Sequence, residues 1–244
     1  MRVLIADDDL VSRLAMENVL RQCGPLELVL AEDGASAWAA LTGEQCFDLL
    51  CLDVRMPPPD GLELVARLRA SPALRRVPAM LITSTADRNT VVAATRSDLQ
   101  GFIVKPVGDE TVARIGRVLA QLDASILEAA DGAMARLRVD ADRHARYVAG
   151  FFQQIKTLAA LAVEAEAPGA TPQAAATFVH RAEACRTAAL TLGALRIEQV
   201  IADALTAHQA GRPGADRAMR QAVYWLARVS GQTDSGASIG DRSA

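Results

Sequence analysis

The chain has 244 residues, a hydrophobic content of 51% and a formal net charge of -3. That length predicts two domains, each large enough to bury its own core, and the apolar content excludes a chain that stays unfolded. The charge offers no global attraction to nucleic acid or anionic membrane, and with no basic leader and no apolar run of about 18 residues the expectation is a cytoplasmic protein that spans no membrane.

The four cysteines, Cys23, Cys46, Cys51 and Cys185, show no CxxC spacing. Buried, reduced thiols are expected rather than a disulfide or metal site. Of the 26 basic residues only Lys105 and Lys156 are lysines.

From the N-terminus, five apolar runs alternate with amphipathic stretches: RVLIA (2–6), LELVL (26–30), FDLLCLD (47–53), PAMLIT (78–83) and GFIVK (101–105). Near-continuous apolar strands separated by helices predict a doubly wound α/β fold, a five-stranded parallel sheet covered on both faces. In such a sheet the chemistry gathers at the C-terminal strand ends. Strand one ends in Asp7-Asp8-Asp9, strand three in Asp53, strand four in Thr83-Ser84 and strand five in Lys105-Pro106. Carboxylates converging there repel one another unless a cation neutralises them, and a hard oxygen set suits Mg²⁺.

Beyond about residue 123 the strand pattern stops. Stretches 126–137, 140–166, 172–191, 195–210 and 213–229 carry helical periodicity, broken at APGATP (167–172) and AGRPGA (210–215). They predict an all-α four-helix bundle with short connections. The expected division is 1–122, 123–230 and a solvated tail over 231–244.

The segments LIADDD, DVRMPPPDG, ITS and GFIVKP occur in order. With them, residues 1–122 resemble the flavodoxin-like receiver domain of two-component response regulators. The resemblance implies that Asp53 accepts a phosphoryl group from a sensor histidine kinase or phosphotransfer protein. It further implies that Asp7, Asp8, Asp53 and the carbonyl of Arg55 hold Mg²⁺, that Lys105 and Thr83 contact the phosphoryl oxygens, and that Phe102 follows Thr83 as a switch. Charge neutralisation by Mg²⁺ and a compact lysine cation fits what phosphoryl transfer requires. A cis bond before Pro106 is part of the same resemblance, and Asp9 reads as a helix N-cap rather than a ligand.

The helical half resembles a histidine-phosphotransfer domain, through AADGAMARLRVDADRHARYVAGFFQQI and AALTLGA (188–194). Counting back ten positions from Gly193, as the family pattern directs, lands on Glu183 and not on His180. Either Glu183 marks a degenerate carrier position in a phosphate-inert bundle, or His180 is the carrier on a helix with three extra residues. On a helical projection Phe178, Ala182, Cys185, Ala189 and Leu192 form one apolar stripe, with His180, Glu183 and Thr187 opposite. A carboxylate at 183 opposes a phosphohistidine at 180, which favours the inert reading. His144 and His208 are expected on solvated helix faces, without a role.

The sequence thus predicts a response regulator, with no enzyme activity beyond phosphoacceptance. Its bundle would contact a downstream protein or form a homodimer, and RIGRVLAQLDASILEAA would couple the halves as an extended helix. A phosphorelay through His180 and a phosphate sink are the alternatives.

Overall fold

The computed structural model describes residues 1–84 and 98–231. The segment between strands four and five, and the predicted tail from position 232 on, lie outside the described residues. Strands β1 (Arg2–Ala6), β2 (Glu27–Ala31), β3 (Leu49–Asp53), β4 (Ala79–Thr83) and β5 (Gly101–Val104) form one parallel sheet in the order β2-β1-β3-β4-β5. Helices α1 (Leu10–Gln22), α2 (Gly34–Thr42), α3 (Gly61–Ala70) and α4 (Asp109–Ile126) cover it.

Alternation along the strands divides the apolar residues between two faces. Leu4, Leu50, Leu52 and Leu81 pack with Leu41 of α2 and Leu64 and Leu68 of α3. Val3, Ile5, Cys51, Met80 and Ile82 pack with Met16 and Leu20 of α1 and Ile115 and Leu119 of α4. Short acids start the first three helices. Asp9, Asp33 and Asp60 each accept a backbone N–H in the first turn, and Asp33 and Asp60 complete capping boxes with Ser36 and Glu63.

Helix α4 runs on to Ile126, whose side chain is fully buried in a third core made by the C-terminal helices. The single helical stretch expected over 126–137 is broken instead. Leu127 is extended, and a separate short helix α5 (Ala130–Leu137) follows. Next come α6 (Ala141–Glu166), α7 (Pro172–Thr191), α8 (Leu195–Gln209) and α9 (Ala215–Ser230). Helix α6 packs on α7 and α9, and α8 packs on the same two. Phe151, Phe152, Phe178, Ile197 and Trp225 fill the space between them. Glu166 fastens the end of α6 to the start of α9: its Oε1 accepts the amides of Gly214 and Ala215 at 2.9 and 2.8 Å, and its Oε2 that of Asp216 at 3.2 Å. A carboxylate there also complements the helix dipole.

The helical region docks on the N-terminal edge of the sheet, through one face of α9. Gln221 brackets the backbone of Phe47, accepting its N–H at 3.3 Å and donating to its carbonyl at 3.0 Å. Trp225 Nε1 donates to the same carbonyl at 3.2 Å, and Arg217 donates to the carbonyls of Gly43 and Gln45. Asp48, 1% exposed, accepts from the Arg2 amide (2.8 Å), the Tyr224 hydroxyl (2.7 Å) and Arg228 Nε (3.1 Å). Arg228 also reaches Asp123 on α4.

Burial and the adjacent Asp48 carboxylate push the Tyr224 phenol well above its ordinary value, so Tyr224 remains a donor. Replacing Asp48 by Ala leaves the Tyr224 hydroxyl without its acceptor and Arg228 with Asp123 as its remaining carboxylate partner. Loss of such a buried ionic partner costs about 3–5 kcal/mol, so urea denaturation of Asp48→Ala is expected at a markedly lower midpoint, with loss of a single cooperative transition.

Candidate functional site

The opposite edge of the sheet carries the chemistry. Carboxylates at the ends of β1 and β3 are drawn together because β1 and β3 are neighbours in register, Ala6 opposite Leu52. One ligand atom each from Asp7, Asp8 and Asp53 lies within 4.8 Å of the others. Asp7 and Asp53 are buried and Asp8 is exposed.

Lys105, which follows β5, crosses the end of β4 and places Nζ 2.8 Å from Asp7 Oδ2 and 2.8 Å from Asp53 Oδ1. Its own amide is held by the Thr83 carbonyl at 2.8 Å, and the Lys105–Pro106 bond is cis, as expected. Burial pulls the Lys105 ammonium down, but its hydrogen bonds to Asp53 and Asp7 more than offset this, so its pKa is raised and it stays charged. Asp53 is pushed up, chiefly by burial and further by Asp7, against the opposing pull of Lys105 and the Arg55 amide.

The loop after β3 completes the pocket. The Arg55 amide donates to Asp53 Oδ2 at 2.8 Å, and the Arg55 guanidinium reaches the Ser84 hydroxyl. Arg13 Nη1 donates to the Asp7 carbonyl at 2.6 Å. Asp9 turns away to cap α1, accepting the Ser12 amide at 2.7 Å. Its pKa is lowered by that bond and by the Ser12 hydroxyl. Thr83, 3% exposed, ends β4 opposite Val104. Phe102 lies two residues further back on β5, half-buried, with the Arg114 guanidinium 5.5 Å from its ring centre. Asp7, Asp8, Asp53 and Lys105 therefore meet directly, with Thr83 next to them, whereas Phe102 stands behind the group.

The three carboxylates give a hard, oxygen-only donor set, one of them open to solvent, and that set fits a Mg²⁺-sized ion.

Two glycines with no assigned role in the sequence reading set this geometry. A Cβ on Gly61 would stand 2.2 Å from the Asp53 carbonyl oxygen, and one on Gly34 would stand 1.7 Å from that of Pro59. The dipeptide Asp60-Gly61, cap followed by close-packed glycine, was the available signal.

In the helical region His180, Glu183 and Thr187 are exposed on α7, and Phe178, Ala182, Cys185, Ala189 and Leu192 are buried. Arg186 is paired with Glu198 at 2.7 Å. Gly193 has φ +66, with its amide on the Leu190 carbonyl and the Ala194 amide on that of Ala189. The LGA segment is thus a Schellman stop for α7, a local reason for glycine that is independent of any carrier residue. The expectation of solvated histidines fails at two places. His144 is 7% exposed because it sits on the inner face of α6, and His208 lies half-buried with its ring 5.1 Å from Phe178. The cysteines are free: Cys46, Cys51 and Cys185 are buried, Cys23 is half-buried, and burial pushes Cys51 up to about 12.

The sequence model of the response regulator receiver domain matches residues 3–117. Over 106 residues the chain is 33% identical to the chemotaxis protein CheY of Pseudomonas aeruginosa, covering 43% of this chain and 85% of that one. It is 34% identical over 106 residues to the chemotaxis protein CheY-3 of Vibrio cholerae, covering 43% and 81%. Among solved structures, the chemotaxis response regulator CheY4 of Vibrio cholerae aligns with 48% of this chain and 97% of its own, at 27% identity and a TM-score of 0.43. A response regulator of Thermotoga maritima, crystallised with Mg²⁺ and BeF, aligns with 48% and 97% at 23% identity and a TM-score of 0.42.

Gly61→Ala forces the α3 start away from the Asp53 carbonyl. Overpacking of this kind costs about 1–3 kcal/mol. A lowered thermal midpoint is expected, measured against Gly116→Ala, where a Cβ meets nothing within 4 Å.

Proposed function

Because the chain belongs to the response regulator receiver family through residues 3–117, and so to the phosphoacceptors of two-component signalling, we propose that Asp53 is its phosphorylated residue. The donor is a phosphohistidine on a sensor kinase or phosphotransfer protein. The observation that carries this reading is the bridge from Lys105 to both Asp7 and Asp53, inside a cluster of three carboxylates. That arrangement holds one Asp53 oxygen against a cation while the other accepts the Arg55 amide.

In the proposed reaction an Asp53 carboxylate oxygen bonds to phosphorus as the bond to the donor imidazole nitrogen breaks. Held by Asp7, Asp8, Asp53 and the Arg55 carbonyl, Mg²⁺ would neutralise charge on the transferred oxygens. Lys105 then shifts from Asp53 Oδ1 to a phosphoryl oxygen. Thr83 donates its hydroxyl to another, and Phe102 follows Thr83. Arg55 keeps Asp53 oriented through its amide.

We read residues 1–122 as the receiver and 123–230 as a phosphate-inert four-helix bundle of the phosphotransfer type, serving as a protein-interaction or dimerisation output. Two features favour inertness: Glu183 stands one turn from His180 on the exposed side of α7, and Arg186, the nearby cation, is engaged by Glu198. Helix α4 begins four residues after Lys105 and ends with Ile126 in the helical core, which makes it the element that carries the change. The relay alternative has one observation in its favour, the exposure of His180.

One experiment separates these readings. The full chain is incubated with Mg²⁺ and radiolabelled phosphodonor as wild type, Asp53→Asn, Asp7→Asn and His180→Ala. Base-labile label is expected on wild type and on His180→Ala, absent from Asp53→Asn and reduced by about 10²-fold or more in Asp7→Asn. Acid-labile, base-stable label that disappears in His180→Ala would establish the relay.

A further inference from the structure

A cleft of about 430 Å³ opens where the helical region meets the sheet's N-terminal edge, on the side away from the Asp53 pocket. Its walls come from the α3–β4 segment, the second half of α4 and the start of α8. Four arginines line it, Arg69, Arg75, Arg76 and Arg196, against a single acid, Asp98. We propose that this cleft binds a small phosphate-bearing anion, up to the size of a nucleoside diphosphate.

The arginines divide by what they already hold. Arg69 spans the carbonyls of Arg75, Val77 and Asp98, and serves the wall. Arg76 is paired with Asp203 at 2.6 Å. Arg75 touches Asp203 only at 3.6 Å and keeps a side chain 41% exposed. Arg196 has no carboxylate in contact among the described residues. It gives one hydrogen bond, to the Arg76 carbonyl at 3.2 Å, and lies 3.7 Å over the Trp225 ring.

Burial therefore weighs on Arg196, pulling it down to about 10, with only the more distant Asp48 and Asp123 acting the other way. A guanidinium desolvated against an aromatic face, with most of its five N–H donors uncommitted, lacks a counter-anion.

Phosphate matches the guanidinium fork with two parallel hydrogen bonds, which makes clustered arginines its usual partners. Gln121 of α4 and Gln199 of α8 add amide donors on the same walls. The volume lies in the range of small-molecule pockets and leaves room for a sugar or base beside the phosphates. A net charge of -3 gives no global attraction for a polyanion, and the four arginines concentrate positive charge in this concavity. Because Arg75 and Arg76 belong to the sheet side and Arg196 and Gln199 to the helical side, the bound anion spans the junction between them.

The test uses the full chain in excess EDTA, titrated calorimetrically with inorganic pyrophosphate and with ADP, and with adenosine as the phosphate-free control. One site per chain is expected for ADP, pyrophosphate or both, none for adenosine, together with a higher unfolding temperature in the presence of whichever anion binds. Gln121→Glu replaces an amide donor of the wall with a carboxylate, and Arg75→Gln removes an exposed cation. Losing or opposing one charge-assisted contact weakens binding by about tenfold, and weakening in either variant, with its own unfolding temperature retained, supports the site. Asp53→Asn binds as wild type does. The proposal is overturned by the absence of heat from both anions at millimolar concentration, by adenosine binding as tightly as ADP, by undiminished binding in both cleft variants, or by loss of binding in Asp53→Asn. Labelling of Asp53 is a separate readout, so failure here leaves the phosphoacceptor assignment standing.

Discussion

A carboxylate removed from water must replace the solvent donors it gives up, and Asp48 does so with three groups from two parts of the chain: the Arg2 amide on β1, and the Tyr224 hydroxyl and Arg228 guanidinium on α9. Burial of the charge is tolerable only with all of them present. The geometry of Asp48 therefore fixes α9 against the first turn of β3, and through Arg228 and Asp123 fixes α9 against α4 as well. Everything else at the junction follows. Gln221 and Trp225 can reach the Phe47 backbone, and Arg196 is brought over the Trp225 ring. The arginine-lined cleft is the space left where that packing ends.

Strand β3 then has a different task at each end. Asp48 precedes it and Asp53 closes it, a separation of roughly 16 Å at the rise of an extended chain. One acid is saturated by protein donors and is structural. The other is held by a lysine and one loop amide, and it belongs to a cluster that suits a divalent ion. The same residue type, five positions apart, stands just before one strand in the junction and at its end in the candidate site, and the difference lies in the number and kind of donors around it.

The sheet was legible in the sequence because its signal is local: five apolar runs gave strands within one or two residues of those observed, and the acids at their ends converge because parallel strands bring equivalent ends together. The helices after 140 were legible for the same reason, periodicity, down to the buried stripe from Phe178 to Leu192. What escaped detection depended on distant partners. Nothing near Gln221 or Tyr224 announces that their acceptors lie 174 and 176 residues earlier. His144 looked like a polar residue at a helix start, and only the way α6 rolls onto its neighbours hides it. LGA matched a family pattern, yet a helix stop needs the same glycine, so the match said less about position 183 than the count suggested.

The placement of the helical region has a steric consequence. It occupies the pole of the sheet opposite the acidic pocket and, among the described residues, leaves the start of α1 and the β3–α3 loop uncovered. The exposed apolar side chains there, Leu10, Val11 and Leu14, stay open at 56%, 74% and 46% of their surface. Among the described residues, a molecule with a broad footprint at the pocket would therefore meet no part of the helical region. Occupancy of the two poles need not be mutually exclusive.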